Sequence, residues 1–277
     1  MLFQMIQADG SRLIKKKSFW FAFVLYLAIG FQNLQIILSD ELNLLSHFPS
    51  ISGFEAFITT QDGFGYTFLV LPLLVALGVG DFISKERNSS MMIYMLKRTP
   101  SLVYIKNRIL SLGFLSFTTV FIAQSLLLLL SFIIFPVFTL REDHIYFFRI
   151  FYATELLFTN AWLYILIVIT NSSLMAVFFS TFSVIIGFLI KNLYIASALP
   201  YILLIVVSEI MLTAPIVLGL NFLLISDLAP LSMLGFYLVR ELSWWTVPLY
   251  WIILIFVSIG ATIYVFHRAL KKEKFIS

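Results

Sequence analysis

Leu156 to Ile190 reads LLFTNAWLYILIVITNSSLMAVFFSTFSVIIGFLI, thirty-five residues without one Lys, Arg, Asp, Glu or His. About 20 apolar residues cross a hydrocarbon core of roughly 30 Å, so this stretch belongs in a membrane and is too long for one straight crossing. Asn171, Ser172 and Ser173 lie near its middle. Either one broken or steeply tilted helix crosses here, or a turn divides the run into two spans. That choice fixes the number of spans and the side on which every later loop lies.

Outward from this run, cutting the chain at its charges leaves six apolar stretches, near residues 19–38, 66–84, 108–136, 156–190, 193–218 and 244–266. The segments before residue 19, from 81 to 108, at 191 and after 266 hold fifteen of the eighteen Lys and Arg; the remaining connections hold only Arg141, Arg149 and Arg240. With six spans these basic segments all fall on one side, as the enrichment of Lys and Arg in cytoplasmic loops requires. Splitting the 156–190 run would break that parity. The expected fold is all-α and polytopic, with six transmembrane helices and both termini cytoplasmic.

Composition supports the class. Hydrophobic residues make up 61% of the 277, charged residues only 12%, and mean hydropathy is +1.02, more apolar surface than a soluble domain can bury. Six spans leave little chain for a second folded unit, so residues 1–277 form one membrane domain. The net charge of +4 comes from residues beside span ends and is a topology signal, with no nucleic-acid partner implied. The absence of cysteine excludes disulfides, thiolate metal sites and a Cys nucleophile.

Residues 1–18 combine Leu2, Phe3, Met5, Ile6, Leu13 and Ile14 with a break at Gly10 and the run Lys15, Lys16, Lys17. This reads as an interfacial amphipathic helix in contact with membrane lipids. The apolar stretch that follows is long, aromatic and without a small-residue cleavage site, which favours a retained first span over a cleaved signal. Residues 39–65 carry Asp40, Glu41, Glu55 and Asp62 with no Lys or Arg and are expected to form an outer loop. The connection 219–243 is apolar, contains Pro230 and Gly235, and leads into Trp244 and Trp245, which predicts a re-entrant or interfacial hairpin before the last span.

The densest charge lies between the second and third runs: Gly80-Asp81-Phe82-Ile83-Ser84-Lys85-Glu86-Arg87-Asn88-Ser89-Ser90, then Met91-Met92-Ile93-Tyr94-Met95-Leu96-Lys97-Arg98-Thr99-Pro100-Ser101. Met91, Met92, Met95 and Leu96 share one helical face, predicting a short helix under the membrane. Thr99 is placed as the N-cap of the third long helix and Pro100 as its first residue. A charged element joined rigidly to two spans suits docking with a cytoplasmic partner.

This pattern (an acid after span two, Glu-Arg, a polar pair, an amphipathic turn, then Lys-Arg-Thr-Pro-Ser) resembles the ABC-2 family of exporter permeases, which share the type V exporter fold. Lys191-Asn192 followed by Ala198-Leu199-Pro200-Tyr201, and Leu228-Ala229-Pro230-Leu231 before the last span, extend the resemblance over nearly the whole chain. Ser89-Ser90 stands where many members have Gly-Thr. The resemblance implies the membrane half of an ATP-driven exporter, paired with a second permease (an identical or paralogous copy) and a separate cytoplasmic ABC ATPase. ATP and Mg would be bound by that ATPase, since this chain has no G-x-x-x-x-G-K-[ST] loop and is expected to be neither an enzyme nor a cofactor carrier alone. The segment 85–107, with Asp81, Lys85, Glu86, Arg87, Met91, Met95, Lys97, Arg98, Thr99 and Pro100, would couple to it. Spans two and five would line the path, and reversing the charges of Glu86 and Arg87 would uncouple transport.

Glu209, within the apolar run from Ile202 to Leu212, is a candidate for the translocation path because ionisable groups in spans are costly and often functional; it could instead reach water near the outer end. Asn171 and Ser172 are further path candidates, with helix-to-helix hydrogen bonding the alternative. His47, His144 and His267 have no ligand spacing. Gly78, Gly80 and Gly187 would permit close helix contacts. The expected cargo is amphipathic, a peptide or antimicrobial compound or a lipid-like molecule, and the expected location a bacterial plasma membrane. An ion-driven secondary transporter using Glu209 is the competing reading, though no repeat supports it. An intramembrane hydrolase lacks the paired acids or Ser-His set it would need.

Overall fold

The computed structural model describes residues 2–44, 51–61, 67–89, 91–140, 152–190, 192–218, 229–235 and 242–271. Among them are twelve helices: α1 (Leu2–Ile14), α2 (Lys17–Leu44), α3 (Gly53–Gln61), α4 (Thr67–Val79), α5 (Phe82–Asn88), α6 (Met91–Arg98), α7 (Ser101–Ile134), α8 (Thr154–Thr159), α9 (Ala161–Leu189), α10 (Leu193–Leu218), α11 (Pro230–Gly235) and α12 (Thr246–Lys271). Five of them, α2, α7, α9, α10 and α12, are long and apolar enough to cross a membrane. The chain is an all-α, multi-pass membrane protein.

The 156–190 run resolves into one crossing. Its break falls at Asn160, between α8 and α9, where the Asn160 side chain accepts a hydrogen bond of 3.0 Å from the Leu163 amide and caps α9. From there α9 continues through Asn171, Ser172 and Ser173 without interruption. The two serines do not break it because their hydroxyls donate back to the carbonyls of Val168 (3.2 Å) and Ile169 (2.8 Å), a bond that hydroxyls make within an intact helix. In its most apolar window 72% of α9 is buried, against 22–33% for the other four long helices. It is the central helix, and its many hydroxyls sit between helices, where small polar groups are tolerated.

The second run is discontinuous. Helix α4 stops at Gly80 and Asp81, and its 13 residues span only about 20 Å at 1.5 Å per residue. Helix α3 packs against α7, α2 and α4. It begins beside Phe132 and the Val137 carbonyl, which accepts from the Gly53 amide at 2.9 Å. It ends where Gln124 donates to Gln61 at 2.9 Å, further down α7. Residues 53–61 are therefore a buried helix rather than part of a solvated loop, and Glu55 is buried rather than outward-facing. The helix starts on a capping box: the Ser52 amide donates to the Glu55 carboxylate at 2.7 Å and the Glu55 amide to the Ser52 hydroxyl at 3.2 Å. Rings of Phe54, Phe132 and Trp162 pack around it, with centroids 4.9–5.5 Å apart.

Other boundaries move by several residues. Helix α1 passes through Gly10 unbroken. Helix α2 runs on through Asp40 and Glu41 to Leu44, and α12 continues past His267 to Lys271, while α7 starts at Ser101, one residue from the expected Pro100. Asp62, His47, His144 and Lys191 lie outside the described residues, as does most of the expected hairpin at 219–243. Within that hairpin α11 packs on α10, α4 and α9, with Ala229, Ser232 and Met233 buried.

Two ends of the bundle follow from these contacts. At one, the basic end, α1, α5, α6 and the start of α7 meet the C-terminal ends of α4, α9 and α12; the rings of Tyr104 and Phe188 lie 6.2 and 5.1 Å from that of Phe266. The opposite end gathers α3, α8 and the starts of α9 and α12. Gly187 allows α5 to close on α9, since a Cβ there would stand 2.8 Å from that of Ile83, and a Cβ on Gly80 would stand 3.1 Å from the Ser197 backbone in α10. Gly78 faces Leu13 with room for a methyl group.

Candidate functional site

At the basic end the chain buries charge. Helix α1 turns Met5, Asp9 and Leu13 inward, spaced four residues apart on one face, so an acid sits in the middle of an apolar stripe. On α7 the inward stripe contains Tyr104, Arg108 and Ser111. Arg108 donates to Asp9 and pairs with Glu86, to which its Nε donates at 3.0 Å. Ser111 donates to Asp9 at 2.7 Å, Tyr104 to Glu86 at 2.9 Å, and Arg12 to Glu86 at 3.0 Å. Asp9, Glu86 and Arg108 are each at most 3% exposed. Two acids and two guanidinium groups balance, which is the condition under which buried charge is tolerated.

A second knot lies beside it. Lys16 donates to Asp81 at 2.6 Å and to the Gly78 carbonyl at 3.0 Å, while Lys85 reaches the other Asp81 oxygen at 2.7 Å. Burial lowers the pKa of the Lys16 ammonium, and the hydrogen bond and charge of Asp81 oppose that. Helix α5 also satisfies the last carbonyls of α9: Arg87 donates to Phe188 O at 2.7 Å and Ser84 to Ile190 O at 3.2 Å. Cationic donors at helix C-termini both fill unpaired carbonyls and complement the helix dipole.

The expected coupling residues thus separate into two groups. Asp81 and Glu86 are buried and bonded within the chain, Arg87 is half-buried against α9, and Thr99 is buried. Met92 is the buried side chain of α6, and Met91 and Met95 are half-buried. Lys85, Tyr94, Lys97, Arg98 and Pro100 are exposed, and Arg98 covers the Tyr94 ring at 4.6 Å while donating to its hydroxyl at 3.1 Å. The cap of α7 shifts by one residue: Pro100, with ψ 135°, holds the cap position and no side chain bonds there. Its rigid φ and extended ψ end the turn without help from Thr99.

Elsewhere, Asn171 donates to the Tyr152 hydroxyl at 3.3 Å, while Ser172 donates to the Val168 carbonyl of its own helix. Glu209 points outward from α10, exposed among exposed Val206, Val207 and Ile210. These path candidates are not brought together. Asp9, Tyr104, Arg108 and Ser111 were not singled out in the sequence as a network; the one available signal was an acid at the centre of the Met5 to Leu13 stripe. No protein-family model matches this sequence, and no curated protein matches it.

Proposed function

We propose that this chain is the membrane-spanning subunit of an ATP-driven exporter of the ABC-2 type, with ATP and Mg bound on a separate cytoplasmic subunit. In this reading the second crossing is made jointly by α3 and α4, giving six, and the basic end faces the cytoplasm of a bacterial cell. A second permease copy completes the path, and the cargo is amphipathic, a peptide or lipid-like molecule.

The observation that carries this reading is the mechanical continuity of the basic end. Helix α6 is joined to α5 and α7, and α5 is bound by Arg87 and Ser84 to the end of the central helix α9. Ion pairs tie the same unit to α1 and to Lys16 in the turn between α1 and α2. A displacement applied to the exposed Tyr94, Lys97 and Arg98 face would reach α4, α7 and α9 together. Docking therefore rests on that face, with Glu86 as an internal strut.

The test uses the chain expressed with the P-loop ATPase that co-purifies with it. Arg98→Glu combined with Tyr94→Ala should leave folded protein in the membrane, reduce ATPase retention at least tenfold, and abolish transport. Normal retention and transport would overturn the docking face. Failure of any ATPase to co-purify with the unaltered chain would overturn the exporter assignment. An ion-driven mechanism at Glu209 finds less support, because that carboxylate is exposed on the outer face of α10 rather than enclosed in the bundle.

A further inference from the structure

The run Lys15-Lys16-Lys17 divides at the turn between α1 and α2. Lys16 turns into the bundle, donating to Asp81 and to the Gly78 carbonyl, and the Ser18 hydroxyl donates to the Leu77 carbonyl at 3.3 Å. These bonds pin the turn to the last residues of α4. Lys15 and Lys17, on either side of Lys16, are exposed. Two residues of extended chain span at most about 7 Å, so both ammonium groups can reach one anion.

The surface next to these lysines is apolar. On α2, Trp20, Phe21 and Val24 follow Lys17 at spacings of three, four and seven residues, which is one face of a helix, and they are 48%, 65% and 60% exposed. The Trp20 indole N–H donates to the Ile14 carbonyl at 2.7 Å. That bond holds the ring against the end of α1, where the Ile14 side chain is itself exposed. Helix α2 is among the five long and apolar enough to cross a membrane, so an exposed apolar stripe on it faces lipid. Trp20 stands within one turn of its cationic end. Indole rings favour the headgroup level of a bilayer, and lysine ammonium groups reach outward from there to the polar layer.

Charge selects the headgroup. Among the described residues the acids of the basic end, Asp9, Asp81 and Glu86, are all buried and bound to Arg108, Lys16, Lys85 and Arg12. The exposed charge at the turn is therefore positive, and it complements a lipid carrying a net negative charge rather than a zwitterionic one. We propose that the turn between α1 and α2 binds an anionic phospholipid, with its phosphate between the Lys15 and Lys17 ammonium groups and an acyl chain along Trp20, Phe21 and Val24. This site stands apart from the exporter reading and requires neither an ATPase nor a cargo.

Trp20 is its own reporter. The exposed indoles elsewhere are removed by Trp162→Phe, Trp244→Phe and Trp245→Phe, and the buried Trp251 is kept. This chain is purified and reconstituted in phosphatidylcholine vesicles containing rising fractions of dibrominated phosphatidylglycerol or dibrominated phosphatidylcholine, since bromine quenches an indole that it touches. The expected result is a preference for phosphatidylglycerol of at least about threefold at Trp20. Lys15→Gln combined with Lys17→Gln should bring that ratio to about one, and Lys15→Arg combined with Lys17→Arg should keep it. Both positions are exposed, so neither pair of changes disturbs the core. Equal quenching by the two lipids with both lysines present would overturn the site and leave Lys15 and Lys17 to the acids of a protein partner. A preference that survives the paired Gln change would overturn it as well. Because no ATPase is present, either result leaves the exporter assignment to its own test.

Discussion

The two ends of the bundle solve the problem of buried polarity in opposite ways. At the basic end four charged side chains, Asp9, Arg12, Glu86 and Arg108, are interlocked with Tyr104 and Ser111, and α5 fills the last carbonyls of α9. At the other end the groups are neutral: a clip joins Tyr152 to the Trp244 carbonyl and the Ala153 amide to Leu242 O, and Asn171 donates to the Tyr152 hydroxyl. Ionic interlocks in a low dielectric are strong once formed and severely penalised when one member is lost. A clip of two neutral hydrogen bonds opens at far smaller cost. The difference teaches which end holds together as a unit and which end gives way at lower cost.

The largest expected effect is at Arg108. Arg108→Met leaves Asp9 and Glu86 buried without their shared partner, and should lower stability by about 3–5 kcal/mol in thermal unfolding of the detergent-solubilised chain. The triple change Asp9→Asn, Glu86→Gln and Arg108→Met should recover most of that loss, because no ionised group is then stranded. If the triple variant is no more stable than the single one, the network is not an ionic interlock and the contrast between the ends fails.

Gly187→Val comes next. Its Cβ would meet Ile83 at 2.8 Å, prising α5 from α9 at an expected cost of about 1–3 kcal/mol, read by the same unfolding measurement. Arg87→Leu removes the charged donor from Phe188 O and should cost about 1–2 kcal/mol. Its sharper readout is faster hydrogen exchange in the last turn of α9 with no change near Asn160. Tyr152→Phe should have the smallest effect, about 1 kcal/mol, with faster exchange confined to residues 152–160 and 242–246. A loss as large as that of Arg108→Met would show that the clip is not the weaker closure.

The path from sequence to these ends was uneven. The five long helices are legible from apolar run length alone, since nothing but a helix or closed barrel satisfies a backbone in lipid. Two short buried pieces were not. Residues 53–61 carry an acid and two threonines, so the stretch reads as solvated. Only the Ser52 to Glu55 spacing signals a capped helix, and only contact with α7 buries it. Likewise α4 is read as a full span by composition, although it ends at Val79, where Lys16 donates to both the Gly78 carbonyl and Asp81.

At the candidate site, position in the chain was readable and role was not. Glu86 and Arg98 lie in the same charged segment and carry equal formal charge in magnitude, and nothing local distinguishes the buried side chain from the exposed one. Asp9 is 99 residues from Arg108 in the chain, and Tyr152 is 92 residues from Trp244. Pairings at such separations leave no periodic trace.

Hydrophobicity, span length and the placement of basic residues determined by themselves that this chain lives in a membrane as a helical bundle, because transfer of apolar side chains and backbone satisfaction are local properties of each segment. Tertiary structure alone decided that α9 is the central helix, that residues 53–61 are a buried helix, and which charges are hidden. Burial of a polar group depends on whether a partner arrives from elsewhere in the chain, and that partner is set by packing.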